Sequence, residues 1–504
     1  AADIYGTYIA LLYMTPFVGG LLADRVLGYR KSIVIGGVLM GLGYTGLAFS
    51  GLDALFWISL GLIILGNGLF KPNISTLVGN LYADERYRAQ KDSGFSIFYM
   101  GINIGAFVCN FVAAWLRNSV GWGAAFGAAG VGMFVGVVWF ILGAKHTAGA
   151  DVRKPAHPDD EPVGRILAKV FGPAALFALA GWFGISLLLG PGRTIFGSRS
   201  NDAFLFACLP VTWFYVSLWL KAKGEDRERI GGLLPIFAVV IVFWAIFHQN
   251  GSALTIWAEQ YTHRELPAAV AAPASAIGAV QLVDTSPREV AKTDGHGVPL
   301  KDAAGKLITA MGPHPYFANV PQEQWPAPGE SRKLVSTELF QSINPFFVVL
   351  LTPLVVAFWA LLRRKGKEPS TPGKIALGLF ITALSTLVMI GATVVTHNGA
   401  FKASALWLIG SYGIITLGEL CLSPMGLSLV SKLSPTRLTA VMMGGWFLST
   451  SVGNKLSGIL SGLLTSFEHK SSIFMINFVG AAVAALLIAL MLPRLRRVMD
   501  KYVD

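Results

Sequence analysis

Long apolar runs with almost no charge recur along this chain, and they leave it one kind of fold. Residues 5–23, 33–49, 54–70, 122–144, 232–247, 345–362, 375–395 and 473–492 are each nearly free of charged side chains. A run of about 18 or more apolar residues is long enough to cross the hydrocarbon core of a bilayer as a helix. In lipid the backbone must satisfy its own hydrogen bonds, so such runs read as helices. The composition agrees. Only 13% of the 504 residues are charged and 54% are hydrophobic, whereas a soluble domain carries about 25% charge. A soluble core has no room for so many apolar runs.

The net charge is +12, but the basic residues sit in short connections between the runs. That is the pattern of a membrane topology signal rather than of a nucleic-acid surface. The three cysteines, Cys109, Cys208 and Cys421, each fall within a predicted span, so neither a disulfide framework nor a metal site is expected. Thirteen spans are predicted, near 4–26, 30–50, 54–78, 91–116, 122–144, 167–190, 202–222, 232–258, 340–363, 374–396, 403–431, 437–465 and 471–493. The basic connections are Arg25–Lys31, Arg86–Lys91, Lys221–Arg229, Arg363–Lys374, Lys432–Arg437 and Arg494–Lys501. The stretch Lys145–Arg165 is mixed in charge but also polar. These segments alternate with connections poor in Lys and Arg, such as Ser50–Ala54 and Thr396–Phe401. The charge rule puts the basic set, and with it the C-terminus, in the cytoplasm. Residue 1 then lies outside, and the simplest reading is that one N-terminal helix is missing from a set of fourteen. Residues 259–339, rich in Pro, Ala, Gly and charge, form an extracytoplasmic insert that reads either as a small cap or as a flexible segment.

Two segments carry most of the motif content. Gly19-Gly20-Leu21-Leu22-Ala23-Asp24-Arg25-Val26-Leu27-Gly28-Tyr29-Arg30-Lys31 joins two spans on the basic side. Its glycines allow tight turning and close helix approach, and Asp24 can pair with a neighbouring cation or a helix end. It also reads simply as a basic topology loop. Phe95-Ser96-Ile97-Phe98-Tyr99-Met100-Gly101-Ile102-Asn103-Ile104-Gly105-Ala106-Phe107 lies within a span. Tyr99 and Asn103 are i and i+4, so they share a face. A buried phenol and amide need partners, either another helix or a substrate.

Both segments resemble signatures of the bacterial proton-dependent oligopeptide transporters of the major facilitator superfamily. Four further segments resemble that family in order: Phe243-Trp244-Ala245-Ile246-Phe247-His248-Gln249, Phe340-Gln341-Ser342-Ile343-Asn344-Pro345, Gly418-Glu419-Leu420-Cys421-Leu422-Ser423-Pro424 and Gly444-Gly445-Trp446-Phe447. The resemblance implies an all-α membrane protein with the major facilitator fold, two six-helix bundles plus two extra central helices near 167–190 and 202–222. The first span here then matches the family's second, and the family's first helix is absent. The implied division is 1–144 for the N-terminal bundle, 145–231 for a linker with the two extra helices, and 232–504 for the C-terminal bundle carrying the insert.

A charge inside a span costs roughly 2.5–3.5 kcal/mol at the helix centre by insertion scales, so each one is a functional hypothesis. Two stand out. Lys71 lies deep in the span that follows Ser50–Ala54, and Glu419 lies deep in the span that follows Thr396–Phe401. A short peptide is a zwitterion whose carboxylate needs a cation and whose ammonium needs an anion. Opposite charges on opposite halves suit that ligand and suit rocking of the halves about a midplane site. The resemblance ties Lys71 to proton and carboxylate handling and Glu419 to the peptide amino end. The plainer readings are snorkelling for Lys71 and a structural ion pair or a permanently protonated acid for Glu419. Ser423 shares the Glu419 face at i+4.

Trp244, Phe247 and His248 share one face. They, Tyr13, Trp446 and Phe447 read either as walls of side-chain pockets or as ordinary packing. Many bacterial members carry an acid at or beside position 248. Histidine titrates near pH 6.5 when unperturbed and could take over that role, or it could be a neutral bundle histidine. Lys455 reads as structural. The expected substrate-binding set is Tyr13, Lys71, Tyr99, Asn103, Trp244, Phe247, His248, Asn344, Glu419, Ser423, Trp446 and Phe447, with Lys71, His248 and Glu419 in proton coupling.

The leading expectation is proton-coupled symport of di- and tripeptides across a bacterial cytoplasmic membrane by a monomer, with protons as the only coupling ion, no cofactor, no metal and no nucleic acid. The alternative is a major facilitator carrier of another small solute, such as nitrate, a drug or an organic ion. A cation exporter favours midplane acids, which Lys71 opposes, and a nitrate carrier has no need of Glu419. Neither a nucleophile motif nor a metal-spaced pair supports an enzyme, and no pore-loop repeat supports a channel.

Overall fold

The computed structural model describes residues 2–49, 53–152, 162–190, 193–266, 272, 274–275, 279–292, 300, 308–435, 438–464 and 467–502. Thirteen long helical segments account for most of it. They are α1 (Ala2–Leu22), α2 (Tyr29–Ala48), α3 (Asp53–Leu81), α4 (Lys91–Ser119), α5 (Trp122–Leu142), α6 (Val163–Leu179, continued through a π-turn Ala180–Gly184 into Ile185–Leu189), α7 (Arg199–Lys221), α8 (Gly224–Phe247), α9 (Glu338–Arg364), α10 (Thr371–Val395), α11 (Ala405–Leu433), α12 (Thr439–Leu464) and α13 (Ser471–Tyr502). Eleven segments among the described residues are long and apolar enough to cross a membrane by composition; α1 and α12 are the other two long helices. Large apolar side chains such as Trp139, Leu142, Leu187, Leu188 and Leu490 are exposed on the outside, the surface that lipid solvates and water does not.

Two expected boundaries move. α8 begins at Gly224 and α13 runs to Tyr502, so charged segments read as connections are helical. A span does not have to stop where lipid ends, and here the extensions hold each other. Arg229 donates to the Tyr502 carbonyl at 3.0 Å, and Lys501 donates to Glu228 at 3.1 Å. Part of the mixed stretch 145–165, Arg437 and much of the insert lie outside the described residues.

α2 packs on α3 and α5, and α1 on α3; α10 packs on α11 and α13, and α8 on α12 and α13. The two groups meet through α1 against α12 and through α4 against α9 and α11. The paired α6 and α7 lie beside α1, α8 and α12. Each group contains very close crossings, one of them just before a charge inside a span. A Cβ on Gly36 of α2 would come within 2.6 Å of the Gly66 carbonyl of α3, and one on Gly378 of α10 within 2.6 Å of the Gly418 carbonyl of α11. Only glycine allows backbones that near, where packing replaces the hydrophobic drive that lipid removes. The crossing at Gly66 lies five residues before Lys71, and the crossing at Gly418 lies immediately before Glu419.

The Asp24 segment closes α1 with a π-turn, Ala23–Leu27, and Gly28 turns the chain at φ 80°. Asp24 accepts a hydrogen bond from the Tyr29 hydroxyl at 2.7 Å, and Asp151 accepts from the Tyr29 backbone N–H at 2.9 Å. A carboxylate at the start of α2 meets both the free N–H groups and the positive end of the helix dipole. The loop is therefore a built joint as well as a basic connection.

The insert contributes strands to three two-stranded sheets. β1 (Thr262–His263) pairs in parallel with β6 (Ala403–Ser404), β2 (Val280–Val283) pairs with β5 (Arg332–Val335), and β3 (Arg288–Ala291) pairs with β4 (Thr309–Gly312), the last two antiparallel. Val283, Tyr316, Phe317 and Leu334 make a small core. Asn319 donates to the Gly399 carbonyl at 2.9 Å and Lys402 to the Gln260 carbonyl at 2.6 Å. The cap alternative therefore describes the visible part of the insert, anchored on the α10–α11 connection.

Candidate functional site

Where the two groups meet at mid-depth, the structure gathers most of the residues expected from sequence. On one side, the Lys71 ammonium of α3 sits 4.5 Å from the ring centre of Tyr13 of α1 and 5.2 Å from that of Phe447 of α12. Such contacts replace part of the hydration that a half-buried cation loses. No carboxylate pairs with Lys71 among the described residues.

On the other side, Glu419 of α11 is 1% exposed. Its Oε1 accepts a short hydrogen bond from the Tyr99 hydroxyl of α4, and its Oε2 accepts from Asn344 Nδ2 of α9 at 2.7 Å. Asn344 also donates to Thr416 at 2.9 Å. The Tyr99 bond joins one group of helices to the other. The acid is held by two neutral donors, and no cation pairs with it among the described residues. Ser423, one turn along, has a buried hydroxyl with no hydrogen-bond partner. This set can exchange its neutral donors for an incoming ammonium without breaking an ion pair, because an ionised acid accepts from up to about four directions.

The remaining expected residues divide. Trp244 and His248 stack with ring centres 5.3 Å apart, and Phe247 packs edge-on to both. The Trp244 Nε1 and His248 Nε2 atoms are buried without a partner. Asn103 is 7% exposed, and its amide donates to the Tyr99 carbonyl of its own helix at 3.0 Å. It steadies the helix that presents Tyr99. Trp446 is 2% exposed, with its ring where a Gly426 Cβ would be. It is core packing between α11 and α12, behind Phe447. Lys455 faces the Phe204 ring of α7 at 5.8 Å.

A second polar constellation escaped the sequence reading. At the basic end of the same interface, Asp92 of α4 accepts from Lys432 at 2.7 Å, from Ser428 at 2.5 Å, from Lys374 at 3.0 Å and from Thr371 at 3.1 Å. Lys374 also donates to Glu368 at 2.7 Å, and Arg363 donates to Glu368 at 2.6 Å. Burial alone would raise the Glu368 carboxyl, but bonds from Arg363 and Lys374 and their charges carry it below its ordinary range. Lys374 and Lys432 had been counted only as topology signals. The one sequence clue was Asp92, a single acid facing the interior at the start of a span whose preceding loop is basic.

Similarity to known proteins extends over nearly the whole chain. A family profile, PTR2, described as the POT family, matches residues 30–281 and 332–478. A peptide transporter of Yersinia enterocolitica is 28% identical over 99% of this chain and 87% of its own length. A di-/tripeptide transporter of Lactococcus lactis is 28% identical over 99% of this chain and 88% of its own. The crystal structure of a peptide transporter POT mutant in complex with alafosfalin shares 30% identity at a TM-score of 0.62, over 99% of this chain and 86% of that one. A POT-family transporter in complex with a thioalcohol-conjugated peptide gives 25% and 0.65, over 98% and 87%.

Proposed function

The chain belongs to the POT family, and on that premise we propose that it carries di- and tripeptides across a bacterial cytoplasmic membrane, driven by protons, with its C-terminus in the cytoplasm. The observation that carries this reading is the pair Lys71 and Glu419. They are opposite charges on helices that correspond in the two halves; Glu419 is buried and Lys71 half-buried, each without an ion-pair partner among the described residues. A zwitterion supplies both missing partners. Its carboxylate faces Lys71, and its ammonium replaces Asn344 at Glu419 while Tyr99 stays bonded to the other oxygen. Buried charges that stay unpaired in the empty protein are costly, and a ligand that pairs both recovers that cost on binding. The names of the relatives support peptides as the cargo.

Proton coupling follows from the same site. Protonated Glu419 no longer attracts an ammonium, and deprotonated Glu419 does. The Tyr99–Glu419 bond links this proton to the contact between halves, so occupancy and rocking are tied. His248, stacked on Trp244 with Nε2 free, is the second proton-binding group. The protein acts as a monomer with no cofactor.

The test is uptake by the full-length protein in proteoliposomes under an inward proton gradient, comparing dialanine with free alanine, nitrate and a lipophilic cation. Dialanine alone should accumulate. Accumulation of nitrate or the cation, with dialanine excluded, would replace the peptide reading by that of another small-solute carrier.

A further inference from the structure

The seam between α8 and α12 holds a run of hydroxyls that the reading above does not use. The two helices run parallel and in step. A Cβ on Gly445 would lie 2.8 Å from the Phe237 ring, and one on Gly453 would lie 2.4 Å from Trp244 Cβ and 3.0 Å from the Ala245 nitrogen. Further along, the Ser461 and Ser252 hydroxyls are 2.6 Å apart. Residues four apart share a helix face, so Trp244 and His248 form one column, continued past the 3-10 turn His248–Gly251 by Ser252, whose hydroxyl lies 3.5 Å from the His248 carbonyl, and Gly453, Ser457 and Ser461 form the facing column. Ser457 therefore falls level with His248.

Ser457 is 1% exposed and its hydroxyl has no partner. A buried hydroxyl usually turns back to a carbonyl of its own helix. On the same helix Ser449 bonds the Gly445 carbonyl at 3.2 Å and Thr450 bonds the Trp446 carbonyl at 3.3 Å. Ser457 is not bonded in that way, and His248 Nε2 at its level is equally unpartnered and buried. At the far end Gly251 and Gly462, beside Ser252 and Ser461, are exposed. The run therefore joins the surface at the extracytoplasmic end to His248 at mid-depth.

We propose that Ser461, Ser252 and Ser457 form a proton path from extracytoplasmic water to His248, an inference that rests on His248 being a proton-binding group. One turn separates the Ser252–Ser461 pair from Ser457, about 5–6 Å between Cβ atoms, and a single bridging water spans it. A proton enters on the paired oxygens, and each hydroxyl accepts on its lone pair while releasing its own hydrogen onward. Ser457 finally donates through a second bridging water to Nε2, giving imidazolium, since the two groups do not bond each other directly. The hydroxyls then rotate back, and the net change is one proton moved. Lys71 of α3 is the charge that acts on the imidazole, while Lys455 of α12 faces the Phe204 ring instead. When His248 is protonated, Lys71 is repelled from it and toward a peptide carboxylate.

The experiment compares gradient-driven dialanine uptake with dialanine counterflow at equal pH on both sides, in which no net proton need cross. A positioned proton donor is worth about 10²–10⁴-fold in rate, and a relay hydroxyl that water replaces in part should be worth a lower share, about tenfold. Ser457→Ala should slow gradient-driven uptake by that factor, leave counterflow and dialanine affinity unchanged, and raise the solvent deuterium isotope effect. Ser457→Thr, which restores a hydroxyl, should recover uptake. Ser252→Ala and Ser461→Ala should each show a smaller loss. If His248→Gln abolishes gradient-driven uptake while Ser457→Ala leaves it intact, the path is wrong and the proton site stands. If His248→Gln has no effect, both fall. If Ser457→Ala slows both assays equally, the serine is merely structural and the path is again overturned.

Discussion

The two polar constellations on the interface between the halves use the same chemistry to opposite ends. At mid-depth, half-buried Lys71 and buried Glu419 each lack an ionic partner among the described residues, and aromatic rings and neutral donors hold them. At the basic end, Asp92 is bound by two lysines and two hydroxyls, and Glu368 binds one of those lysines together with Arg363. Breaking a buried ion pair costs about 3–5 kcal/mol because it strands a charge. The Asp92 cluster is therefore a closure, satisfied from within the protein. The Lys71–Glu419 pair is a vacancy in the electrostatic sense, satisfied from without. The closure lies at the basic end of the interface, where it ties α4 to α10 and α11.

The largest effect should come from the mid-depth pair. Lys71→Ala and Glu419→Gln should each reduce proton-driven dialanine uptake by at least about thirtyfold, the factor for 2 kcal/mol of lost charge recognition. Uptake assays that find either variant near wild type would erase the distinction between the two constellations. Asp92→Asn should act on shape instead. Two lysines lose their shared acceptor, so the cytoplasm-open population rises by about tenfold or more, while dialanine affinity changes by less than about threefold. Spin labels at the basic ends of α4 and α11 report the first quantity and calorimetry the second. An affinity loss equal to that of Glu419→Gln would show that the two constellations are one site.

Tyr99→Phe removes one charge-assisted bond to Glu419, worth about 1.5–3 kcal/mol, and joins the two classes. It should weaken both dialanine binding and the closed state by about tenfold each. The smallest effect is one of pH. The Glu368 carboxyl is held below its ordinary value, so its contribution to closure is complete above about pH 4.3 and is lost as pH falls through the lower value in the folded protein. Hydrogen exchange at the basic ends of α9 and α10 should stay flat from neutral pH down to that point and rise below it.

The thirteen helices were legible because a bilayer imposes a length and an apolar composition that any single span must meet on its own. Lys71 and Glu419 were legible for the same reason, since a charge in such a segment is conspicuous. The Tyr99–Glu419 bond was not, because its partners are 320 residues apart and no local pattern links them. Asp92 was hidden by its setting. A lone acid beside a basic loop looks like a solvated end, and only the fold brings Lys374 and Lys432 to it. Asn103 and Trp446 show the converse: both stand in suggestive motifs, and in the structure the first bonds the carbonyl of its own helix and the second packs on Gly426. Ser457 gave no signal at all, since a serine in a span ordinarily bonds its own helix.

The insert offers a practical consequence. Its pairing of β1 with β6, the Asn319 contact to Gly399 and the Lys402 contact to Gln260 all fasten it to the half that contains α8 to α13. It should travel with that half as a rigid passenger. A fluorophore on Met311, 69% exposed on β4, and a second on Trp57, 56% exposed near the start of α3, would then form a gauge. Their separation would track each transport cycle from the outer surface, without a probe in the translocation route.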